Sequence, residues 1–458
     1  MSTAPTIVWF RDDLRLGDNP ALVAAAERGD PTIAVYVLDE QSPGIRPLGG
    51  AAKWWLHHSL ERLASDLGER GVPLVLGRGA AAGVIRSLVD EAGAGAVLWN
   101  RRYGAAERAV DTALKAALTE SGVEVGSFGA SLLFEPWTIR TGAGTPYSVF
   151  TPFWRACLAA DEPRHPSQPP ELTAGGAGAD RLAARGARLD DWGLLPTDPD
   201  WAGGLRETWE PGERAAHRRL RAFLAGDLDR YADARDRLDL DATSRLSPHL
   251  RWGELSPHQV WHETRRRAAG TEGAAKFLSE LGWREFAYHV LFHFPELATR
   301  NLRPEFDRFP WPPPDTDAIT AWERGTTGIP VVDAAMRELW RTGGMHNRAR
   351  MVAASFLTKN LLVDWRLGEQ WFWDTLVDAD PASNPFGWQW VAGSGADAAP
   401  YFRVFNPELQ RRRFDPDDEY VRRWIPELDT ADYPEPLVDL RGSRAAALAA
   451  YEHVTGAR

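Results

Sequence analysis

Three short segments of the chain carry the residue types that chemistry needs. Thr243-Ser244-Arg245-Leu246-Ser247-Pro248 sets hydroxyls and a guanidinium just ahead of a helical stretch, with Pro248 suited to that helix's first turn. Hydroxyls and free backbone N–H groups in such a place can hold a phosphate or pyrophosphate; the same residues also make a simple N-cap. Gly343-Gly344-Met345-His346-Asn347-Arg348-Ala349-Arg350-Met351 joins a glycine turn to a helix start bearing an amide, an imidazole and two arginines. Further on, Asp378-Ala379-Asp380-Pro381-Ala382-Ser383-Asn384 supplies two carboxylates and an amide, followed by Trp388-Gln389-Trp390. An amide with carboxylates can recognise a heteroaromatic ring edge, arginines neutralise phosphate, and indoles stack on bases or pass electrons. Taken singly, each segment also fits a loop held by Asx turns and packed tryptophan. Glu285, His289 and His293, at four-residue steps, imitate a metal site but lack the H-E-x-x-H order, so a hydrogen-bonded face is expected there and no metal.

The composition bounds what these segments can belong to. With 458 residues, 44% hydrophobic, 26% charged and a formal charge of -11, the chain is a soluble globular type long enough for two or three domains. Apolar runs of about 18 residues are missing, and MSTAPTIVWF has neither a basic n-region nor a cleavage site, so a cytoplasmic protein with no membrane partner is expected. The lone Cys157 excludes an internal disulfide and a zinc site built on paired cysteines. Only Lys53, Lys115, Lys276 and Lys359 among the 53 cationic residues are lysine. Arginine's planar fork suits bidentate phosphate binding, although codon bias explains the excess equally well. Of 21 tryptophans, 14 follow position 200, more than a core needs when each buried indole N–H requires a partner. The acidic total argues against a coat of positive charge and permits a local basic cleft.

The elements that must position these residues fall into two kinds. Thr6 to Phe10, Thr32 to Leu38, Val72 to Leu76, Ala96 to Trp99 and Val123 to Phe128 read as buried parallel strands, with Ala51 to Arg70 and Ala105 to Ser121 as crossover helices. That predicts a doubly wound α/β domain over residues 1–130. Its first strand runs into Arg11-Asp12-Asp13-Leu14-Arg15, not a G-x-G-x-x-G turn, and no P-loop occurs. Residues 131–204, rich in Pro, Gly and Ala toward their end, are expected to link the domains. Residues 205–458 read as a larger all-α domain, with helical periods at Glu213 to Ala225, Pro257 to Arg267, Ala274 to Phe294, Ile329 to Arg341 and Arg348 to Val363.

Together the segments resemble the DNA photolyase/cryptochrome family, from about Ile7 to Pro426. The resemblance rests on Val8 to Arg15, Pro146 to Phe153, Thr243 to Ser247, Glu280 to Phe286, Asp333 to Arg337, Met345 to Met351, and Gly387 to Trp390 leading into Ala398-Ala399-Pro400-Tyr401-Phe402-Arg403-Val404-Phe405-Asn406-Pro407. It implies an N-terminal antenna-type domain and a helical domain that holds FAD. The flavin-contacting set it implies is Tyr231, Thr243, Ser244, Arg245, Leu246, Ser247, Phe277, Arg284, Asn347, Arg350, Asp378, Asp380 and Asn384, with Asn384 facing flavin N5. The activity implied is blue-light repair of cyclobutane pyrimidine dimers in UV-damaged DNA, by electron transfer from excited reduced FAD to a flipped-out dimer. Glu280 would hydrogen-bond the dimer; Trp283, Trp390, Met351 and Asn347 would wall its pocket; and Arg235, Arg348, Arg403 and Gln410 would hold the backbone or the lesion rim. Trp388, Trp365 and Trp311 would reduce the flavin stepwise from the surface.

Within the family the chain looks most like the class I type of dimer photolyase, acting as a monomer. A cryptochrome-like light receptor without repair is the alternative; such proteins tend to carry an acidic residue in place of Asn384 and a long tail, whereas 32 residues follow Pro426. Three departures stand out. Gly344 replaces a common aromatic residue near the cofactor, Phe277 replaces a common tryptophan, and Ala106 stands where folate-binding members often have asparagine, with Glu107 beside it retained. The antenna is thereby open to folate, a deazaflavin, another flavin or none. Arg411-Arg412-Arg413 is more basic than usual, which predicts tighter, salt-sensitive DNA binding.

Overall fold

A computed structural model describes residues 4–398 and 402–456, so Ala399, Pro400 and Tyr401 of the motif quoted above lie outside the described residues. Apolar runs form the strands β1 (Thr6–Phe10), β2 (Thr32–Leu38), β3 (Leu74–Arg78), β4 (Ala96–Asn100) and β5 (Glu124–Phe128). They pair in parallel in the order β3-β2-β1-β4-β5, with Thr6 opposite Thr32 on one side and Ala96 on the other. Every crossover carries a helix: α1 (Pro20–Arg28), α2 (Gly50–Gly68), α3 (Ala81–Ala92) and α4 (Ala105–Glu120). Because side chains alternate along a strand, Ile7 and Trp9 enter the core beneath α3 and α4, while Val8 and Phe10 enter the one beneath α1 and α2. The sheet is thus the doubly wound one expected. Strand β3 starts later than predicted because Val72 N–H closes the end of α2 on the Leu67 carbonyl, at 3.1 Å.

The segment expected as a linker is not a loose tether. It holds α5 (Phe150–Ala159), α6 (Gly176–Arg185) and a short turn of helix at Leu189–Trp192, and Ala179 and Leu182 pack into the core on the α3/α4 face of the sheet. Thr32 N–H bonds the Thr173 carbonyl at 2.9 Å, and Ala187 N–H bonds Leu76 O at 3.0 Å. The small residues that suggested a linker include ones needed for close approach: a Cβ on Gly175 would lie 2.7 Å from the Thr32 oxygen.

The rest is helical: α7 (Gly203–Thr208), α8 (Glu213–Gly226), α9 (Tyr231–Ala234), α10 (Ser247–Arg251), α11 (Pro257–Ala268), α12 (Glu272–His293), α13 (Thr316–Arg324), α14 (Pro330–Thr342), α15 (Asn347–Ser355), α16 (Trp365–Thr375), α17 (Ser383–Ala392), α18 (Pro407–Phe414), α19 (Glu419–Trp424) and α20 (Leu440–Thr455). No helix among the described residues is long and apolar enough to cross a membrane. The helix predicted from Arg348 to Val363 ends at Ser355 and widens into a π turn, Phe356–Asn360, where buried Lys359 donates to the Ala392 carbonyl at 2.6 Å.

Two buried arginines of the junction join the domains. Arg15, from the segment after β1, is fully enclosed and donates to the carbonyls of Asp18, Ala130 and Gly253. Arg251 at the end of α10 donates to Asp12 at 2.8 Å and to the Ala379 carbonyl at 2.7 Å. Helix α12 is strapped to the chain after β5 by the residues that imitate a metal site: Glu285 accepts from Leu133 and Phe134 N–H at 2.9 and 3.2 Å, His289 accepts from Tyr147 N–H at 3.0 Å, and His293 meets the Pro136 carbonyl at 3.2 Å.

Burial pushes the Glu285 carboxyl up to about 7, against the pull of Arg284 and its two N–H donors. The native state then binds more protons than the unfolded chain between 4.5 and about 7, so this group's stabilising contribution is complete below 4.5 and is lost as pH rises through 7. Glu285→Gln keeps an oxygen acceptor and should remove that slope, gaining on the native protein by up to about 3 kcal/mol across the window. Urea unfolding of both proteins from pH 4.5 to 7.5 checks this. A difference independent of pH counts against it.

Candidate active site

The helical domain encloses two adjoining cavities of about 320 and 630 Å³. Tyr231, Ser244, Leu246, Ser247, Glu280, Asn347, Arg350 and Asp378 line both, so they form one continuous space with an apolar part and a polar part. The apolar part is walled by Phe277, Met351, Phe372, Leu376, Trp388 and Val391, with Arg284, Asp380 and Asn384 converging on it. The polar part is lined by Thr243 to Ser247, Trp209, Gly344 and Arg423. Every member of the expected flavin-contacting set faces this space. Arg245 reaches it through a left-handed backbone (φ 51°), and its guanidinium lies 4.8 Å above the Trp209 ring.

The charges in this space are paired in a definite way. Arg350, on α15, donates to both oxygens of Asp378 at 3.1 and 2.9 Å and to the Met345 carbonyl at 2.8 Å. Asp380 caps α17 through Ala382 and Ser383 N–H, and its other oxygen accepts from Tyr288 Oη at 2.8 Å. Arg284 donates to the Ser131 carbonyl at 2.7 Å and lies 4.9 Å from the Tyr288 ring. The Asn384 amide donates both to the main-chain oxygen of Glu369, at 3.0 Å, and to its Oε1, at 2.8 Å. Burial drops His346 to about 4, so the imidazole that caps α15 by accepting from Arg348 N–H is neutral near pH 7.

Glu280 sits in the wall common to both parts, ion-paired with Arg235 and, at 3.3 Å, with Lys276. Asn347 shares that wall, and Met351 lines the apolar part beside it. The other residues expected at a lesion pocket stand off from it. Trp283 stacks on Phe150 at 3.8 Å, Arg403 lies 5.5 Å over Trp390, and Arg348 pairs with Asp236 at 2.7 Å over the Phe414 ring; Gln410 is half-buried on α18. Trp388, Trp365 and Trp311 belong to one apolar cluster, the first two buried and the third half-buried. Rings other than these three touch Trp388: Phe372 at 4.9 Å and Trp322 at 6.2 Å.

Sequence reasoning missed Glu369, Tyr288 and Trp209, none of which stands in a chemically suggestive segment. Trp209 accounts for Gly344. A Cβ at 344 would lie 2.9 Å from Trp209 Cζ2, and the Trp209 N–H is fixed on the Thr342 carbonyl at 2.7 Å, so an indole from another segment fills the space. A separate cavity of about 550 Å³ opens beside the ends of the strands, lined by Trp9, Asp12, Tyr36, Arg46, Arg102 and Glu107 among others. Two buried nitrogens of Arg102, Nε and Nη2, have no hydrogen-bond partner among the described residues.

Residues 6–171 match the family described as DNA photolyase, and residues 277–432 match the FAD binding domain of DNA photolyase. A deoxyribodipyrimidine photo-lyase of Agrobacterium fabrum is 50% identical, the match covering 99% of each chain. The chain belongs to the DNA photolyase/cryptochrome family. Cryptochrome-1 of Arabidopsis thaliana is 38% identical over 92% of this chain and 63% of that protein. The crystal structure of a class III photolyase from Agrobacterium tumefaciens superposes with a TM-score of 0.94 at 48% identity, covering 100% of this chain and 98% of that one. The family match makes FAD the cofactor and the chain an enzyme of the deoxyribodipyrimidine photo-lyase type. The class I expectation gains nothing from these relatives, since the likeness runs to a class III structure. The motifs on which it rested mark the family and do not separate its classes.

The space fits FAD on its own geometry. It is apolar in one part, hydroxyl- and arginine-lined in the other, and the buried indole N–H of Trp388 in its wall has no partner among the described residues. Trp209 and Gly344 give a test of the packing on the polar side. Gly344→Phe alone should collide with the indole, and Trp209→Ala alone should leave a gap costing on the order of 2 kcal/mol. Combined, the two should recover part of both losses, read as non-additive shifts in Tm. Strict additivity would show that the residues do not share the space.

Proposed function

We propose that the protein is a class III type photolyase that splits cyclobutane pyrimidine dimers in DNA under blue light. The carrying observation is Glu280: a carboxylate set on α12 in the wall of the flavin-sized space, held by Arg235 from a neighbouring helix turn. Full-length similarity to named deoxyribodipyrimidine photo-lyases supports the repair reading over the light-receptor one, as does the neutral Asn384.

FAD, when bound, supplies the electron that opens the cyclobutane ring and takes it back afterwards. The chain's residues do the rest. Thr243, Ser244, Ser247 and Arg245 would hold the diphosphate, Phe277 and Tyr231 would line the cofactor's side, and Arg350 with Asp378 would meet its polar edge. Asn384 would present a neutral amide at the ring. A dimer reaches this depth only when flipped from the duplex, which costs least at a damaged step. Glu280 would then exchange its pairing with Arg235 and Lys276 for hydrogen bonds to the dimer bases, and Met351 and Asn347 would exclude water beside it. Trp283 and Trp390 would serve as outer walls, with Arg348, Arg403 and Gln410 at the rim. The cavity with Arg102 and Glu107 would take an anionic antenna pigment, folate or flavin-like.

Illumination of the photoreduced protein with a thymine-dimer oligonucleotide should restore intact bases, with no restoration in the dark. Glu280→Ala should lower the repair yield per photon severalfold while FAD stays bound; unchanged yield removes Glu280 from the mechanism. Failure of repair with reducible FAD in place would favour the receptor reading. The basic stretch is narrower than its sequence suggests, because Arg411 is held by Asp418 at 2.6 Å and Glu408 at 3.4 Å. Replacing Arg412 and Arg413 with alanine should therefore flatten the salt dependence of DNA binding by about 0.9 for each phosphate no longer neutralised. Replacing Arg411 instead should leave that slope unchanged.

A further inference from the structure

Asn384 can present either end of its amide to the cavity, and the two ends ask for opposite partners. Its NH2 group donates to the Glu369 carbonyl and to Glu369 Oε1, so the carbonyl oxygen is the end left for a ligand. A flipped amide would set its oxygen against two acceptors. The main-chain bond holds one N–H, but the second lasts only while the Glu369 side chain keeps its place, and this carboxylate, with 2% of its surface exposed, needs a cation. The cation comes from the other domain. Arg46, on the loop between β2 and α2, grips Glu369 through two parallel bonds of 2.7 and 2.9 Å and lies 4.1 Å over the Trp373 ring.

The loop itself is fastened before Arg46 reaches inward. Trp373 Nε1 donates to the Pro47 carbonyl at 2.9 Å, Gly50 N–H donates to Asp374 at 2.8 Å, and Gly49 packs on the Trp373 carbonyl with no room for a side chain. Arg46 is therefore delivered to Glu369 by the docking of the two domains.

We propose that Arg46 is a positioning residue for the flavin site: through Glu369 it keeps the Asn384 carbonyl oxygen turned toward the cavity. The inference rests on the reading of that cavity as the FAD site with Asn384 near N5. A fixed acceptor there favours the reduced ring, whose N5 carries a hydrogen, over the oxidised ring, whose N5 offers a lone pair. Loss of Arg46 leaves only the main-chain bond to hold the amide, so the turned, donating orientation is populated more and the oxidised form gains.

The test is a redox titration of the FAD-loaded protein and of three variants. Arg46→Met should shift the oxidised-to-reduced ratio at fixed potential about tenfold toward oxidised flavin, about 30 mV for a two-electron couple. Arg46→Lys, which restores the charge without the fork, should fall between Met and native. Asp374→Asn weakens the loop's anchor and leaves the Arg46–Glu369 pair intact, so its potential should match the native one. A native-like potential in FAD-loaded Arg46→Met overturns the proposal, as does an equal shift in Asp374→Asn, which would make domain docking the cause. Should Arg46→Met fail to fold, a native-like potential in Arg46→Lys overturns it equally. A native protein that refuses FAD overturns the reading of the cavity itself, and is told apart by the absence of flavin absorbance.

Discussion

Burying a guanidinium is tolerable only where oxygens surround it, and the placement of Arg251 shows what the fold gains by meeting that demand. Its donors join Asp12, just past β1, to the carbonyl of Ala379, which lies between Asp378 and Asp380. The loop that carries both carboxylates of the flavin space is thereby hung from the sheet. Nearby Asp12 holds the guanidinium's pKa above its ordinary value in spite of burial, so the strut keeps its charge at any pH the protein meets. Arg15 does the same work on the other side, tying the segment after β1 to Gly253 in the turn that follows α10. The Arg11-to-Arg15 segment, which in another α/β domain would be a phosphate turn, is here the hinge pin between domains.

This division explains what could be read from the sequence. The strands were legible because each is an apolar run flanked by turn residues, and periodicity alone gave β1 and β2 their bounds. The long helices α11 and α12 were legible for the same reason. The helices within residues 131–204 were not legible because Gly, Ala and Pro signal absence of periodicity, whereas at Gly175 and Gly186 they mark where backbone meets backbone. The break at Phe356 left no trace in a pattern that stays apolar on one face throughout.

The site divides along a similar line. Residues that touch the cavity sit in compact segments of chemical types, Thr243 to Ser247 and Asp378 to Asn384, and spacing announces them. Residues that hold those side chains in place do not cluster. Glu369 stands on an amphipathic helix outside any chemically suggestive segment, and Arg46 and Trp209 lie 323 and 135 positions before the residues they serve, Glu369 and Gly344. Long-range pairing of this kind leaves no local pattern in a single chain. Relatives, in turn, settle the family and leave individual roles to physics.

The tryptophans follow from the same economy of burial. An indole in an apolar cluster can lose an electron only by creating a charge that its surroundings do not solvate. Trp388 and Trp365 are buried at 2% and 0% exposure, with the Trp365 N–H fixed on Asn301 Oδ1 at 2.9 Å, whereas Trp311 is half-buried. For the electron path that the family resemblance implies, a positive charge would therefore be worst accommodated at the two inner rings and best at the outer one. On that path the burial gradient alone would drive the hole outward, and Trp322 and Phe372, packed on Trp388, would keep water from stabilising it at the start. On this view the indole excess of the second domain is an arrangement of solvation as much as of electron donors.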